Sequence, residues 1–225
     1  MRNQQSGFTL VEIAIVLVII GLLLGGVLKG QELINSAKVK NFANDFRNIS
    51  TFVYAYQDKY RATPGDDSNP QGHVGATANA AATTNGTAGN ARIEGAWNSA
   101  LVTDETVLFW QQVRLAGLAT GTTVVPASAT ITQEYVPKNA DGGRIGITGD
   151  AVLTGGGWSA NFFVCSGNIQ GRFARQLDTT IDDGNTATGS VRVIGQNEAV
   201  NDAGAGAIQV LPANDATLYT VCMAN

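Results

Sequence analysis

Gly7 to Leu28, GFTLVEIAIVLVIIGLLLGGVL, limits what the rest of this chain can be. It is apolar over about 21 residues and carries one charge, Glu12. A helix of roughly 20 apolar residues crosses the hydrocarbon core of a bilayer, so the stretch reads as a transmembrane helix. A carboxylate inside that core costs roughly 2–3 kcal/mol or more unless it meets a partner. Two readings of Glu12 follow from the residues alone. It lies near the helix start and can snorkel to the interface, or it pairs with a counter-charge in a dry interior.

The flank ahead of the helix, MRNQQSG, is short and polar, with one base at Arg2. A secretory signal has a shorter apolar run and a small-residue cleavage site after it. Here the run is too long, and the junction Gly7-Phe8 comes before it. A cut at that junction leaves the apolar helix on the mature chain. Arg2 favours a cytoplasmic N-terminus with the remainder outside, and Lys29 on the far flank opposes this.

Gly7-Phe8-Thr9-Leu10-Val11-Glu12 resembles the processing site of type IV prepilins and type II secretion pseudopilins. The resemblance implies that a prepilin peptidase removes residues 1–7 and that the new N-terminus, Phe8, is N-methylated. It also implies a role for Glu12 in subunit assembly. In a filament of side-by-side helices, the Glu12 carboxylate of one subunit neutralises the Phe8 amine of its neighbour, where an unpaired charge is costly. Gly21, Gly25 and Gly26 either allow close helix approach or are simply tolerated in a membrane helix. Many type IV pilins have a Pro in this region; this chain has none.

From Lys29 onward the periodicity stays helical. Val39, Phe42, Phe46, Ile49, Val53, Tyr56 and Tyr60 step by three or four and form one apolar stripe. A coiled-coil partner is the alternative use of such a stripe, but sustained heptads and flanking charge pairs are missing. The spacing predicts one helix from Phe8 to about Arg61, about 80 Å long at 1.5 Å per residue. Residues 8–28 then form the membrane or filament-core segment, residues 29–61 its amphipathic continuation, and residues 62–225 a globular domain. Residues 63–90 read as an exposed polar loop rich in Ala, Thr, Gly and Asn, whose hydroxyls suit O-glycans. Thr103 to Ala116 reads as a helix with Thr103 as N-cap and Gly117 ending it. Its phrase FWQQVRLAGL, with the PGD that follows the long helix, resembles a segment of some prepilin-like proteins.

Beyond Gly121 the pattern turns to short strands: Ile131–Val136, Arg144–Thr148, Trp158–Cys165, Ser190–Ile194, Ile208–Leu211 and Leu218–Cys222. A helical turn or two is expected in Asn168–Leu177. The connections lack long crossover helices, which implies an antiparallel sheet. The fold class is therefore α+β, a long N-terminal helix packed on a C-terminal domain with an antiparallel β-sheet, the pilin fold by resemblance. The two cysteines, Cys165 and Cys222, read either as two buried thiols or as a disulfide, the latter favoured by an exported domain. Many pilins carry a C-terminal disulfide-bounded region, which makes residues 165–222 the expected exposed, partner-contacting part.

Sites for chemistry are sparse. The single histidine, His73, leaves no second imidazole for a His-based nucleophile system, and no metal cluster has sound spacing. The glycine-rich run 142–149 lacks the Lys-Ser/Thr of a phosphate loop. Asp66-Asp67-Ser68-Asn69 offers oxygens for a hard cation, and Asp67, Asn69 and Gln71-Gly72 have the early spacing of a calcium loop, but Ala78 stands where the bidentate Glu belongs. Asp182 and Asp183 offer a second weak cation candidate, and turns explain both pairs better. His73 reads as a surface residue. No cofactor and no enzymatic activity are expected. The net charge of −4 argues against a generic polyanion surface, so no specific nucleic-acid partner is expected.

The expected function is a structural subunit, pilin or minor pilin, of a type IV pilus-like filament. The alternatives are a type II secretion pseudopilin and a monomeric, membrane-anchored adhesin or binding domain. The expected partners are copies of itself and other pilin-like subunits, prepilin peptidase, an inner-membrane assembly platform, and lipid before assembly. The expected locations are a single-pass bacterial inner-membrane precursor and an extracellular or periplasmic filament.

Overall fold

The computed structural model describes residues 9–80, 87–127, 130–131, 134–153, 157–197 and 206–225. In chain order they form helices α1 (Leu10–Tyr60), α2 (Pro70–Val74) and α3 (Glu105–Leu115), strands β1 (Ile145–Thr148) and β2 (Phe163–Gln170), helix α4 (Gly171–Ile181), and strands β3 (Val191–Gln196) and β4 (Leu218–Ala224). The chain divides into two compact units, Met1–Lys38 and Val39–Asn225.

The first unit is the N-terminal part of α1. Its apolar side chains are bare, with Leu10 91% and Leu22 73% exposed. A stretch of 18 residues has mean hydropathy 2.8 and none of it is buried, so by length and composition the helix is able to cross a membrane. Gly21, Gly25 and Gly26 do not interrupt it.

In the second unit, α1 buries Val39, Phe42, Ala43, Phe46, Ile49, Ser50, Val53 and Tyr56. This is the expected stripe with two small residues filling between the large ones. Tyr60, the last of the expected stripe, is only half-buried. Arg61 ends the helix at φ 56°, and its N–H donates to the Gln57 carbonyl at 2.9 Å. That left-handed residue turns the chain into Thr63-Pro64.

The segment 63–90 is less exposed than its composition suggests. Thr63 to Asp67, Pro70 and Ala78 are buried, and residues 70–74 form the short α2. Residues 81–86 of this segment lie outside the described residues. Gly65 shows why the chain can enter so tightly. Its φ is +93°, and a Cβ there would lie 2.5 Å from the Glu105 carbonyl oxygen.

Helix α3 starts one residue later than the Thr103 cap predicts. Asp104 holds the N-cap position but its side chain does not cap; it accepts instead from the Ser99 hydroxyl. From Glu105 to Arg114 every residue is buried, polar ones included. These polar side chains serve neighbouring backbone. Gln112 accepts from the Gly65 N–H at 2.6 Å and donates to the Asn79 carbonyl at 3.1 Å. Gln111 accepts from the Asn79 N–H and donates to the carbonyls of Thr77 and Thr123. Arg114 donates to the carbonyls of Thr120, Thr122 and Tyr135. Loops that would otherwise bury unpaired peptide groups are thus tied to one helix.

The sheet is four-stranded and antiparallel, in the order β1-β2-β4-β3. The expected segments at 144–148, 190–194 and 218–222 carry β1, β3 and β4. The expected strand at 158–165 is displaced: pairing starts at Phe163↔Ala224 and runs to Gln170↔Leu218. An irregularity between Ser166 and Ile169, with Asn168 at φ 57°, keeps the ladder going into the stretch expected to be helical. The helix begins only at Gly171 and extends to Ile181. No strand forms at 208–211, although the Ile208 N–H donates to the Val193 carbonyl at 2.7 Å. At 131–136 the described residues form no strand; Thr130 makes an isolated bridge to Leu101, and residues 132 and 133 lie outside the described ones.

Alternation along the strands makes two cores. Val164, Val193, Tyr219 and Val221 face the cluster that contains the α1 stripe, Trp110 and Val113 of α3, and Phe173 and Leu177 of α4. Phe163, Cys165, Ile194 and Cys222 face a second cluster with Trp97, Val152, Leu153 and Trp158. Gly146 of β1 admits this covering segment, since a Cβ there would lie 1.9 Å from the Trp97 carbonyl oxygen. Cys165 and Cys222 stand directly opposite each other in the β2–β4 ladder and form a disulfide, buried within the second core.

Candidate functional site

The candidate site is the start of α1. Gly7 and Phe8, the expected processing and methylation residues, lie outside the described residues. Thr9 and Glu12 are within them and form a reciprocal cap. The Glu12 carboxylate accepts from the Thr9 N–H at 2.9 Å and from its hydroxyl at 2.8 Å, and the Thr9 hydroxyl accepts from the Glu12 N–H at 3.3 Å. This is the capping box that the sequence Thr-x-x-Glu encodes, and it satisfies two otherwise orphaned peptide donors. Both residues are exposed in the single chain, as is the apolar surface that follows them. A fully apolar helix face with one acid at its head has the chemistry of a segment destined for lipid or for other such helices.

Residues 2–28 match the family described as Prokaryotic N-terminal methylation motif. The chain carries the prepilin-type signature. It therefore has the N-terminus of a type IV pilin-like or pseudopilin-like precursor. No curated protein and no solved structure matches the chain.

The other candidate residues fall in the second unit. Asp66 is buried, and its carboxylate accepts from the N–H groups of Gly89, Asn90 and Ala91 at 2.6, 3.2 and 2.6 Å. It pins the far end of the 63–90 segment to its start. Burial raises its pKa, and those N–H groups oppose the rise. Asp67 is buried too, and accepts from the Tyr56 hydroxyl at 2.7 Å and the Asn69 N–H at 2.8 Å. His73 Nδ1 lies 2.7 Å from the same Asp67 carboxylate, and its ring stacks on Tyr60 with centroids 5.5 Å apart. His73 is thus a partly buried packing residue, where a free surface residue was expected. Each carboxylate engages three partners within the fold, and Ala78, at the place of a calcium loop's Glu, is itself buried.

Asp182 and Asp183 follow α4, and the structure brings a third acid to them, Asp178 of the last helical turns. Asp178 is fully buried. Burial raises its carboxyl to about 6; the peptide groups of Gly184 and Asn185 oppose this, and the charges of Asp182 and Asp183 reinforce it. Sequence reasoning missed Asp178 because its position in α4 shows only once the helix is known to begin at Gly171. The signal available was its spacing of four from Asp182.

Proposed function

We propose that this chain is a structural subunit, a pilin or minor pilin, of a type IV pilus-like filament. The precursor sits in the bacterial inner membrane with its N-terminus cytoplasmic. Prepilin peptidase cuts after Gly7, Phe8 is N-methylated, and an inner-membrane assembly platform moves the mature subunit into a polymer with copies of itself and other pilin-like subunits. The observation that carries this reading is one of register. The methylation motif covers residues 2–28, the span that holds the Gly7-Phe8 junction and the apolar run to Leu28, in which Glu12 is the single acid. In a filament, that helix exchanges lipid for neighbouring helices, and the second unit forms the outer surface.

Mass spectrometry of the protein isolated from cells tests the processing step. The expected result is a mature chain that begins with N-methylated Phe8. An intact Met1–Gly7 leader overturns the reading. Imaging of filaments sheared from the cell surface, with identification of their subunits, tests the polymer.

A further inference from the structure

The end of α4 holds three carboxylates with no lysine or arginine paired to them among the described residues. Asp178, Asp182 and Asp183 each place an oxygen within 4.8 Å of the others. Asp178 supplies the observation that a solvated acidic turn does not. It is 0% exposed, and neither of its carboxylate oxygens has a hydrogen-bond partner among the described residues. The backbone N–H groups of Gly184 and Asn185 point toward it and favour its ionised form, but neither reaches full hydrogen-bonding geometry. A buried carboxylate left in that state is costly unless something positive reaches it.

The other two acids are oriented by the fold. Asp182 Oδ1 accepts from the Ser190 hydroxyl at 3.2 Å, and its Oδ2 from the Val191 N–H at 2.7 Å. Asp183 Oδ1 accepts from the Asn185 N–H at 2.8 Å, and its Oδ2 from the Thr188 hydroxyl at 2.7 Å. An ionised carboxylate has about four lone-pair sites, so each keeps room for another ligand. Arg192, the cation whose charge reaches Asp183, is held elsewhere: Nε donates to the Gly189 carbonyl at 3.0 Å and its guanidinium lies over the Trp158 ring.

We propose that Asp178, Asp182 and Asp183 bind one calcium ion, which ties the C-terminal end of α4 to the turn that leads into β3. An all-oxygen donor set selects a hard cation over zinc or copper. Calcium tolerates irregular geometry and mono- or bidentate carboxylates, whereas magnesium demands a near-ideal octahedron. The site lies wholly in the second unit and does not depend on the filament reading.

The test uses the full-length protein in detergent micelles, stripped with a chelator and titrated with calcium chloride by calorimetry, with thermal unfolding followed in parallel. The expected result is a single saturable site per chain and a Tm that rises with calcium and less with magnesium. Asp183 is exposed, and in Asp183→Asn the amide oxygen still accepts from the Asn185 N–H while the amide N–H can donate to the Thr188 hydroxyl, so the variant should fold; it should weaken calcium binding by roughly tenfold or more, as expected from losing one ligand charge. Asp178→Asn should do the same. The proposal is overturned if the wild-type chain shows neither heat nor a Tm rise at about 10 mM calcium, an order above the weakest extracellular calcium modules. It is equally overturned if a folded Asp183→Asn chain binds calcium as the wild type does.

Discussion

Glu12 and Thr9 satisfy each other at the head of α1, with the carboxylate 2.8 Å from the hydroxyl and 2.9 Å from the peptide N–H. In the single chain the acid therefore does more than await a partner. A capping box contributes to helix stability through hydrogen bonds, while the proposed contact with a neighbour's amine is a matter of charge. Two substitutions separate these roles. Glu12→Gln keeps an oxygen for the Thr9 donors and removes the charge; Glu12→Ala removes both. If pairing to the Phe8 amine drives assembly, both variants are processed normally yet yield few sheared filaments. Normal filament yield from Glu12→Gln, measured with cleavage checked by mass spectrometry, would leave Glu12 with the capping role alone.

Gln112 stands in the middle of a helix and holds a loop by both ends of its amide. Leucine has nearly the same size and would pack among its buried neighbours, but it would strand the Gly65 N–H and the Asn79 carbonyl. An unpaired buried polar group costs about 1–3 kcal/mol. Gln112→Leu should therefore lower stability by at least about that much, read as a lower urea midpoint with an unchanged m-value. An unchanged midpoint would mean that water or side chains replace both bonds.

The long helix, its buried stripe and three of the four strands were legible because each rests on a local pattern: spacing of three to four in Val39–Tyr56, and short runs bounded by turn residues in the strands. The motif at Gly7–Glu12 was legible as a short linear pattern. What sequence did not carry depends on pairs distant in the chain. The burial of Asp66 follows from peptide groups at Gly89 to Ala91, more than 20 positions away, as the bonds with separations of 23 to 25 show. The burial of Gln111 and Gln112 is of the same kind, since their partners lie in distant loops at Gly65, Thr77, Asn79 and Thr123. The β2 boundary moved because the ladder to β4 outweighed the helical preference of the residues after Asn168.

Glu105 makes the stability of the second unit pH-dependent. It is buried; its Oε2 accepts from the Glu94 N–H at 2.7 Å, and its Oε1 has no partner among the described residues. Burial, opposed by that bond and reinforced by the charges of Asp66, Glu94 and Asp150, raises its pKa from 4.5 to about 7. The folded chain thus holds this proton more tightly than the unfolded chain does. The resulting stability is fully present below about pH 4.5 and is lost as pH rises through 7. At 1.36 kcal/mol per pKa unit the loss is up to about 3 kcal/mol. Glu105→Gln should flatten this slope and be the more stable chain at pH 8, measured by urea unfolding at pH 5 and pH 8 in metal-free buffer. An undiminished difference between the two pH values in the variant would assign the slope to other acids.

Cys165 and Cys222 close a loop across 57 positions of sequence, at the centre of the β2–β4 ladder. In the chain-entropy account a loop of that length contributes about 4 kcal/mol by restricting the unfolded chain. The bond joins the final strand to the sheet where it pairs with both β2 and β3, so its loss should loosen the end of the chain first. Replacing both cysteines with alanine should lower the urea midpoint and raise amide exchange in Leu218–Ala224 before it rises in α1. The pairing itself is read with a thiol reagent: protein unfolded in denaturant should label at neither cysteine until a reductant is added. Labelling without reductant would mean that the two sulfurs are unbonded thiols in the native protein.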